Sequence, residues 1–287
     1  MTGRFDMRGF ARMGMLAALA ATATACEKPR ATAAAPAAAP SVVTVRARDF
    51  AFDAPSEIAG GTVTFQFFND GPNLHHVQLI RLSDGKTLAD LQGAMKAPGP
   101  LPAWATVAGG PNAVDPGHEI TETIEVAPGD YAIICFVDTP DHVPHVMKGM
   151  AHPLHVNPAP AGAAAVPATP ADLTITLSDY NFDLSDSVTA GTKSIDVVVS
   201  PGQPHELVIF RLLPGKTMQD FMQWGATYQG PLPGNVLGGT TAAVSGIPQR
   251  ITVDFTPGEY VLICFVPDAT DGKPHMMHGM VRTFTVS

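Results

Sequence analysis

The chain carries the same sequence pattern twice, about 130 residues apart. The segment "HHVQLIRLSDGKTLADL", which starts at His75, resembles "HELVIFRLLPGKTMQDF", which starts at His205. "PGDYAIICFV" likewise resembles "PGEYVLICFV", which aligns Cys135 with Cys264, and "PHVMKGM" resembles "PHMMHGM". A repeat of this length indicates a duplicated structural unit. The 287 residues are long enough for two domains with their own cores, so we expect two copies of one domain.

Two stretches rich in proline and alanine mark the boundaries of these copies. "EKPRATAAAPAAAPS" precedes the first copy, and "NPAPAGAAAVPATPA" lies between the two. Such segments bury little and act as tethers or semi-extended linkers. The predicted organisation is an export signal peptide at 1–25, a tether at 26–41, domain 1 at 42–156, a linker at 157–171 and domain 2 at 172–287.

The N-terminal segment has the pattern of an export signal. Arg4, Arg8 and Arg12 precede a short alanine-rich apolar run, and small residues lead into Cys26. The run is too short for an ordinary transmembrane helix. Small residues directly before a cysteine resemble a bacterial lipoprotein processing site, which predicts lipidation of Cys26; ordinary cleavage nearby is the alternative. We therefore expect a periplasmic or cell-envelope protein that is anchored to the membrane by its lipid.

Within each copy the pattern favours strands. "TVTFQFF" and "SIDVVVS" are β-branched and aromatic runs, while "HEITETIEV" and "QRITVDF" alternate polar and apolar residues. A Pro-Gly turn then leads into a strand that ends at the cysteine. The sequence therefore predicts an all-β chain of two antiparallel β-sandwiches. One short helix is expected in each copy, with Thr87 and Thr217 as N-caps.

The charge of the chain argues against nucleic acid as a partner. The formal net charge is −9, and no segment has the clustered lysines and arginines of a nucleic-acid-binding face. An acidic surface steers basic partners, or it serves solubility alone. Both interpretations stay open at this point.

Side chains that can bind a metal recur at the same places in both copies. Two imidazoles, one thiol and one thioether are the donor set of a mononuclear blue-copper site, in which soft sulfur suits Cu(I) and imidazole suits both oxidation states. Taken singly, each such residue is more often part of a core. Their joint recurrence favours copper. The candidate ligands are His75, Cys135, His145 and Met150 in copy one, and His205, Cys264, His275 and Met280 in copy two.

The motifs around these residues resemble those of the cupredoxins, the family of plastocyanin and azurin. "PGDYAIICF…PHVMKGMAHPLHV" and "PGEYVLICF…PHMMHGMVRTFTV" are similar to the family's Pro-Gly-x-Tyr strand, its Cys, its His, and its Gly-Met before the last strand. "NDGPNLHHV" and "SPGQPHEL" resemble its upstream His motif. The resemblance implies two tandem Greek-key β-sandwiches, each with a short inserted helix, and one copper per domain bound by these eight residues.

The chain departs from the family pattern at two places. The residue after the first histidine is usually Asn, which braces the loop that carries the thiolate, but here it is His76 or Glu206. The gap from Cys to the second His has nine residues in copy one and ten in copy two, which resembles the copper nitrite reductases more than the smallest cupredoxins. These changes predict altered support for the metal.

Further soft side chains surround the second histidine. We interpret Met147, Met276, Met277 and His278 as packing or rim residues, with transient capture of Cu(I) as an alternative. His142, His152 and His155 have no counterparts in copy two and are expected to be surface or loop residues.

The predicted function is electron transfer by two blue-copper sites, with an unidentified redox partner protein. Copper binding, storage or delivery, with a copper donor or acceptor as partner, is the second hypothesis, and a metal-free binding module is the third. No His-x-His occurs, and Cys135 and Cys264 each lie between Ile and Phe. Multicopper oxidases and copper nitrite reductases need histidines at such places, so the sequence predicts a carrier and not an enzyme.

Overall fold

A computed structural model describes residues 40–97, 99–161 and 169–287. The predicted signal peptide, Cys26 and most of the tether lie outside the described residues, as does the central part of the linker. Among the helices of the described segments, none is long and apolar enough to cross a membrane.

The first repeat contains nine strands and one short helix. They are β1 (Ser41–Arg48), β2 (Ala51–Asp53), β3 (Glu57–Ala59), β4 (Gly61–Asn69), β5 (Gln78–Leu82), α1 (Leu88–Ala94), β6 (Ala105–Val107), β7 (Glu119–Val126), β8 (Gly129–Ile134) and β9 (Ala151–Asn157).

The second repeat follows the same order with eight strands. They are β10 (Leu173–Ser178), β11 (Asn181–Leu184), β12 (Gly191–Val199), β13 (His205–Leu212), α2 (Met218–Thr227), β14 (Gly234–Ala243), β15 (Gln249–Phe255), β16 (Gly258–Ile263) and β17 (Val281–Val286). The prediction of a mostly β chain is therefore confirmed. The prediction of purely antiparallel sheets is wrong, because β1 pairs with β4, β3 with β9 and β10 with β12 in parallel. The Greek-key connection of the strands stays a prediction.

Each helix begins where the sequence places it. Thr87 accepts a hydrogen bond from the Asp90 N–H, and the Asp90 side chain accepts one from the Thr87 N–H. Thr217 and Asp220 form the same capping box at α2. The helices lie between β5 and β6 and between β13 and β14, as the inserted helices were predicted to do.

One sheet runs through both repeats. Its order is β11-β10-β12-β15-β7-β4-β1-β2, so four strands come from each repeat. The join is the antiparallel pairing of β15 with β7, in which Gln249 lies opposite Ile124 and Ile251 opposite Glu122. Because this pairing forms a backbone ladder, the repeats have a fixed relation to each other.

Each repeat adds a second sheet over this one. Repeat 1 has the order β3-β9-β8-β5-β6, and repeat 2 has the order β14-β13-β16-β17. The alternating burial of β4 and β12 turns apolar side chains toward a common core. That core includes Phe65 and Phe67 from the shared sheet, and Ile133 and Leu262 from the second sheets.

A second contact joins the repeats through their Gly-Gly segments. Isolated antiparallel bridges pair Ala108 with Ala243 and Pro111 with Thr240. Between them, the Thr241 N–H donates to the Gly110 carbonyl at 2.7 Å. The described residues of both repeats accordingly belong to one compact unit.

A carboxylic acid lies buried where the repeats meet. Glu122 on β7 is fully buried, and neither of its oxygens accepts a well-formed hydrogen bond among the described residues. Burial raises the pKa of Glu122 well above 4.5, and the neighbouring Gly110 N–H opposes the shift without cancelling it. The folded protein therefore keeps a proton that the unfolded chain loses above pH 4.5.

We expect Glu122→Gln to flatten the pH dependence of stability. Between pH 4.5 and the raised pKa the unfolded chain binds fewer protons, so the free energy of unfolding falls as pH rises. The slope reaches about 1.4 kcal/mol per pH unit for one group. Urea unfolding at several pH values measures it, with Glu119→Gln, an exposed residue of the same strand, as the control. An unchanged slope in Glu122→Gln would show that this carboxyl does not titrate differently in the folded state.

Candidate metal centre

Three donor side chains of the first repeat converge inside the core. His75 lies just before β5, Cys135 directly follows β8, and His145 opens a short 3-10 turn. The Nδ1 atoms of His75 and His145 are 3.0 Å apart, and the Cys135 Sγ is 3.6 Å from the His145 Nδ1. All three side chains are buried. The sequence-predicted ligands of repeat 1 are thus brought together.

The second repeat builds the same arrangement. His205 begins β13, Cys264 directly follows β16, and His275 opens the matching turn. The two Nδ1 atoms are 3.1 Å apart, and the Cys264 Sγ is 3.5 Å from the His275 Nδ1. The three side chains are again buried.

These separations fit one metal ion in contact with all three donors. In each repeat the donor atoms lie within 4.8 Å of one another. Metal–nitrogen bonds of about 2.0 Å and metal–sulfur bonds of about 2.3 Å can be formed at once from such positions. A trigonal His₂Cys set is the donor chemistry of a blue-copper centre.

The two methionines are held beside these donors by backbone hydrogen bonds. The Met150 N–H donates to the His145 carbonyl at 3.0 Å, and the Met150 carbonyl accepts from the Cys135 N–H at 3.3 Å. Met280 makes the same pair of bonds to His275 and Cys264. Both methionines are fully buried and belong to the same core cluster as the cysteines. This placement suits the weak axial thioether of a copper site.

An aspartate orients the first histidine of each site, and sequence reasoning missed it. The His75 Nε2 lies 2.9 Å from Asp49 Oδ1, and the His205 Nε2 lies 3.0 Å from Asp179 Oδ1. An Nε2–H that donates to the carboxylate leaves the Nδ1 lone pair free for a metal. The signal was present, because "RDF" and "SDY" recur with the same spacing as the ligands.

Burial sets the protonation of the donors. It raises the pKa of the Cys135 and Cys264 thiols to about 12 and lowers the pKa of His145 to about 4. The pKa of His75 and His205 is also lowered, mainly by burial. Neutral imidazoles are ready to bind a cation, whereas each thiol becomes a thiolate only when a cation balances its charge.

The residues that replace the usual asparagine brace the thiol-bearing turns. The His76 Nε2 accepts the Phe136 N–H at 2.7 Å, and Glu206 Oε1 accepts the Phe265 N–H at 2.9 Å. Burial lowers the pKa of His76 to about 3, so this ring is neutral and can accept. The side chain at this position thus differs from the usual asparagine, as predicted. In both repeats it still accepts a hydrogen bond from the backbone N–H that follows the cysteine.

The remaining predicted residues lie around these sites. Met147 and Met277 are exposed, at 44% and 57%, and Met276 is half-buried against the core near α2. The His278 Nε2 lies 3.1 Å from Asp271 Oδ1. Of the histidines without counterparts, His142 is an exposed loop residue, His155 is exposed on β9, and His152 is half-buried on the same strand.

Comparisons with solved structures return copper proteins. Auracyanin A, a "blue" copper protein from Chloroflexus aurantiacus, is 26% identical over 42% of this chain and all of its own, with a TM-score of 0.29. Blue copper oxidase from Nitrosomonas europaea covers 87% of this chain and 86% of its own at 17% identity, with a TM-score of 0.27. Copper nitrite reductase from the same organism covers 87% and 94% at 15% identity, also with a TM-score of 0.27.

No protein-family model and no curated protein matches the chain. The motifs and the donor set of the chain are similar to those of cupredoxins. The cofactor that its donor set fits is copper.

The prediction that the chain is not an enzyme is contradicted. The structures that match over most of the chain include multicopper oxidases and a copper nitrite reductase. The sequence has no His-x-His motif and no histidine beside Cys135 or Cys264. The absence of these motifs does not exclude catalysis by the chain.

We expect Met280→Leu to keep copper in the second site and to raise its reduction potential. Removal of a weak axial donor destabilises Cu(II) more than Cu(I). Redox titration followed at the Cu(II)–thiolate band measures the shift. Met277→Leu makes the same change at an exposed position of the same turn, and its potential should stay at the native value. Loss of metal from Met280→Leu would show that the thioether is needed for binding itself.

Proposed function

We propose that the chain contains two mononuclear blue-copper sites, one in each of two tandem Greek-key cupredoxin domains, and that these sites transfer electrons. The ligands are His75, Cys135, His145 and Met150 in the first domain, and His205, Cys264, His275 and Met280 in the second. The observation that carries the proposal is the repeated convergence of a buried His₂Cys set, with donor separations that agree within 0.1 Å between the repeats.

The surroundings of each site support electron transfer. The donors are buried, the first histidine is fixed by Asp49 or Asp179, and the cysteine turn is braced by His76 or Glu206. A site whose ligands are held in place needs little rearrangement when copper changes oxidation state. The chain's residues thus orient the ligands and exclude water, while bound copper supplies the one-electron chemistry.

Copper handling is the second candidate, and one observation favours it. Met277 is exposed beside His278, a few residues from the buried ligand His275. A thioether and an imidazole at the surface are donors that can receive copper before it reaches the interior. A storage or delivery protein must also release its copper to an acceptor, which an electron-transfer protein must not do.

The position of the chain in the cell is part of the proposal. We infer export through the segment 1–25 and attachment to the membrane through lipidated Cys26. The partner is a redox protein that docks where His145 or His275 approaches the surface. Half-buried Val143 and exposed Met147 flank this approach in repeat 1, and exposed Met277 does so in repeat 2. A small apolar rim suits weak and brief encounters.

Repeated redox cycling in the presence of a Cu(I) chelator tests electron transfer against copper handling. The copper-loaded protein is reduced and reoxidised several times with bathocuproine disulfonate present. Electron transfer predicts that the Cu(II)–thiolate band returns in full and that the chelator stays uncoloured. Progressive loss of the band, with copper appearing on the chelator, would make storage or delivery the better account.

A further inference from the structure

A chain of buried polar contacts joins the two candidate sites across the interface between the repeats. In repeat 1, His76 accepts the Phe136 N–H, and its ring lies beside the side chain of Asn112. The Asn112 Nδ2 donates to Glu206 Oε2 at 3.0 Å, and Glu206 Oε1 accepts the Phe265 N–H. Phe136 and Phe265 directly follow the two cysteines. One asparagine therefore links both thiol-bearing turns.

The amide of Asn112 is held in one orientation. The residue is only 2% exposed. Its Oδ1 accepts the Ala113 N–H at 2.7 Å. Its Nδ2, whose two hydrogens are shared among three acceptors, also lies 3.2 Å from the Leu207 carbonyl oxygen and 3.0 Å from the Thr240 carbonyl oxygen. A buried amide with both ends satisfied cannot turn over without breaking several hydrogen bonds. It is thus a rigid connection between the repeats.

The polarity of this amide explains why the repeats differ beside the first histidine ligand. The oxygen end of Asn112 needs a donor and its nitrogen end needs an acceptor. His76 accepts at Nε2, so its proton is on Nδ1 and is available to the Asn112 oxygen. Glu206 accepts with both of its oxygens. A neutral histidine in place of Glu206 would turn an N–H toward the donating Nδ2, and an ionised glutamate in place of His76 would offer the Asn112 oxygen no proton. Histidine in one repeat and glutamate in the other therefore match the two ends of the amide.

The equivalent residue of repeat 2 makes no such connection. Thr241 occupies the place in "LGGTT" that Asn112 occupies in "AGGPN". The single proton of its hydroxyl lies between the backbone carbonyl oxygens of Val77 and Gly110, which are 3.3 and 3.0 Å from Oγ1. The coupling thus depends on a single side chain, and Thr241 offers a matched control at the same interface.

We propose that Asn112 is a positioning residue shared by both sites and that it couples them, so that metal binding in one repeat stabilises the cysteine turn of the other. When Cys135 and His145 bind a metal, the turn at Phe136 becomes fixed. His76, Asn112 and Glu206 then pass this restriction to the turn at Phe265. Coupling of this kind is reciprocal. The inference rests on the proposed copper sites and adds a dependence between them.

The metal-free protein tests the connection itself. Hydrogen exchange of the Phe136 and Phe265 N–H groups is followed by NMR in Asn112→Thr, which introduces the residue of repeat 2. Both N–H groups should exchange roughly tenfold faster, because that factor corresponds to the free energy of about one hydrogen bond. Thr241→Val, which loses only bonds to backbone carbonyls, should leave both rates near native. If Asn112→Thr changes neither rate, or Thr241→Val changes both equally, Asn112 is not the connection.

Copper(I) added to Cys264→Ser tests the coupling, because only the first site then keeps its complete ligand set. Occupancy of that site should slow exchange of the Phe265 N–H in the other repeat roughly fivefold or more, the usual range of coupling between sites. The effect should vanish in Asn112→Thr and persist in Thr241→Val. Copper bound at one ion per chain without any change at Phe265 would overturn the coupling. Failure to bind copper would overturn the proposed function instead, and the metal-free result would still decide the connection.

A second variant keeps the test decisive if Asn112→Thr does not fold. Glu206→Gln retains an oxygen that accepts the Phe265 N–H. Its amide NH₂ then faces the Asn112 Nδ2, and because both groups are donors the hydrogen bond between residues 112 and 206 is lost. The turn should keep its own protection and lose its response to Cu(I) in repeat 1. A response of native size in this variant would contradict the route through Asn112 and Glu206.

Discussion

Cys135→Ser and Cys264→Ser should each remove about half of the visible absorption of the oxidised, copper-loaded protein. That absorption comes from the Cu(II)–thiolate bond, and serine supplies no soft sulfur for it. The donors of each site come from a single repeat, so the other site keeps its complete set. The double variant should be colourless, which is the largest spectroscopic effect that we expect from any pair of substitutions.

The control for this experiment is Cys26→Ser, because Cys26 belongs to the predicted tether and to neither donor set. It should keep the full band. Optical spectra and copper content are measured together for all four proteins. A single substitution of Cys135 or Cys264 that abolishes the whole band, or one that leaves it intact, would contradict the presence of two separate thiolate sites.

Gly239→Ala should be the most destabilising single substitution that we consider. Gly239 lies in β14 with φ of +137°, where side chains are rarely tolerated, and an added Cβ would lie 1.8 Å from the Leu207 carbonyl oxygen. Relief of this clash requires movement of β13, which carries Leu207 and the candidate ligand His205. Backbone strain and a clash with main-chain atoms together should lower the free energy of unfolding by at least about 3 kcal/mol.

Gly246→Ala separates the two causes. Gly246 also has a left-handed φ, of +90°, but an added Cβ there meets nothing within 4 Å. Gly246→Ala should therefore lower the free energy of unfolding by only about 1–2 kcal/mol, through backbone strain alone. Urea unfolding of both variants measures the difference. If the two variants are equally stable, β13 and β14 adjust without cost and the close approach is not a constraint.

The candidate ligands could be predicted from the sequence, because the duplication separates donor residues that recur in both repeats from those that occur once. A lone His145 or Cys264 carries little information, whereas the same donor types in the same order twice define a chemical set. The N-caps Thr87 and Thr217 were predictable for a different reason, since a capping box is a local pattern that spans four residues.

The relation between the repeats could not be predicted in this way. It depends on the pairing of β15 with β7 and on the Gly-Gly segments, which are contacts between residues more than 100 positions apart. Strand periodicity identifies a strand but does not name its partner. Glu122 shares a face of β7 with Ile120 and Ile124, so the alternation of the strand already turns it inward. What the sequence does not show is that neither of its oxygens accepts a well-formed hydrogen bond there among the described residues.

Support of the ligands was predictable only in part. The substitution of Asn by His76 and Glu206 indicated changed support, but not that each side chain keeps the hydrogen bond to the cysteine turn. Asp49 and Asp179 were overlooked because a surface-type carboxylate next to an aromatic residue has no metal signature of its own. Their recurrence at the ligand spacing was the available signal.

Copper content measured together with the visible spectrum of the native protein tests the central claim most directly. The chain is loaded with copper, freed of excess metal and oxidised mildly. The account predicts two copper ions per chain and the intense absorption of red light that a Cu(II)–thiolate bond produces. Loaded protein that stays colourless after oxidation, or that retains no copper, would contradict it.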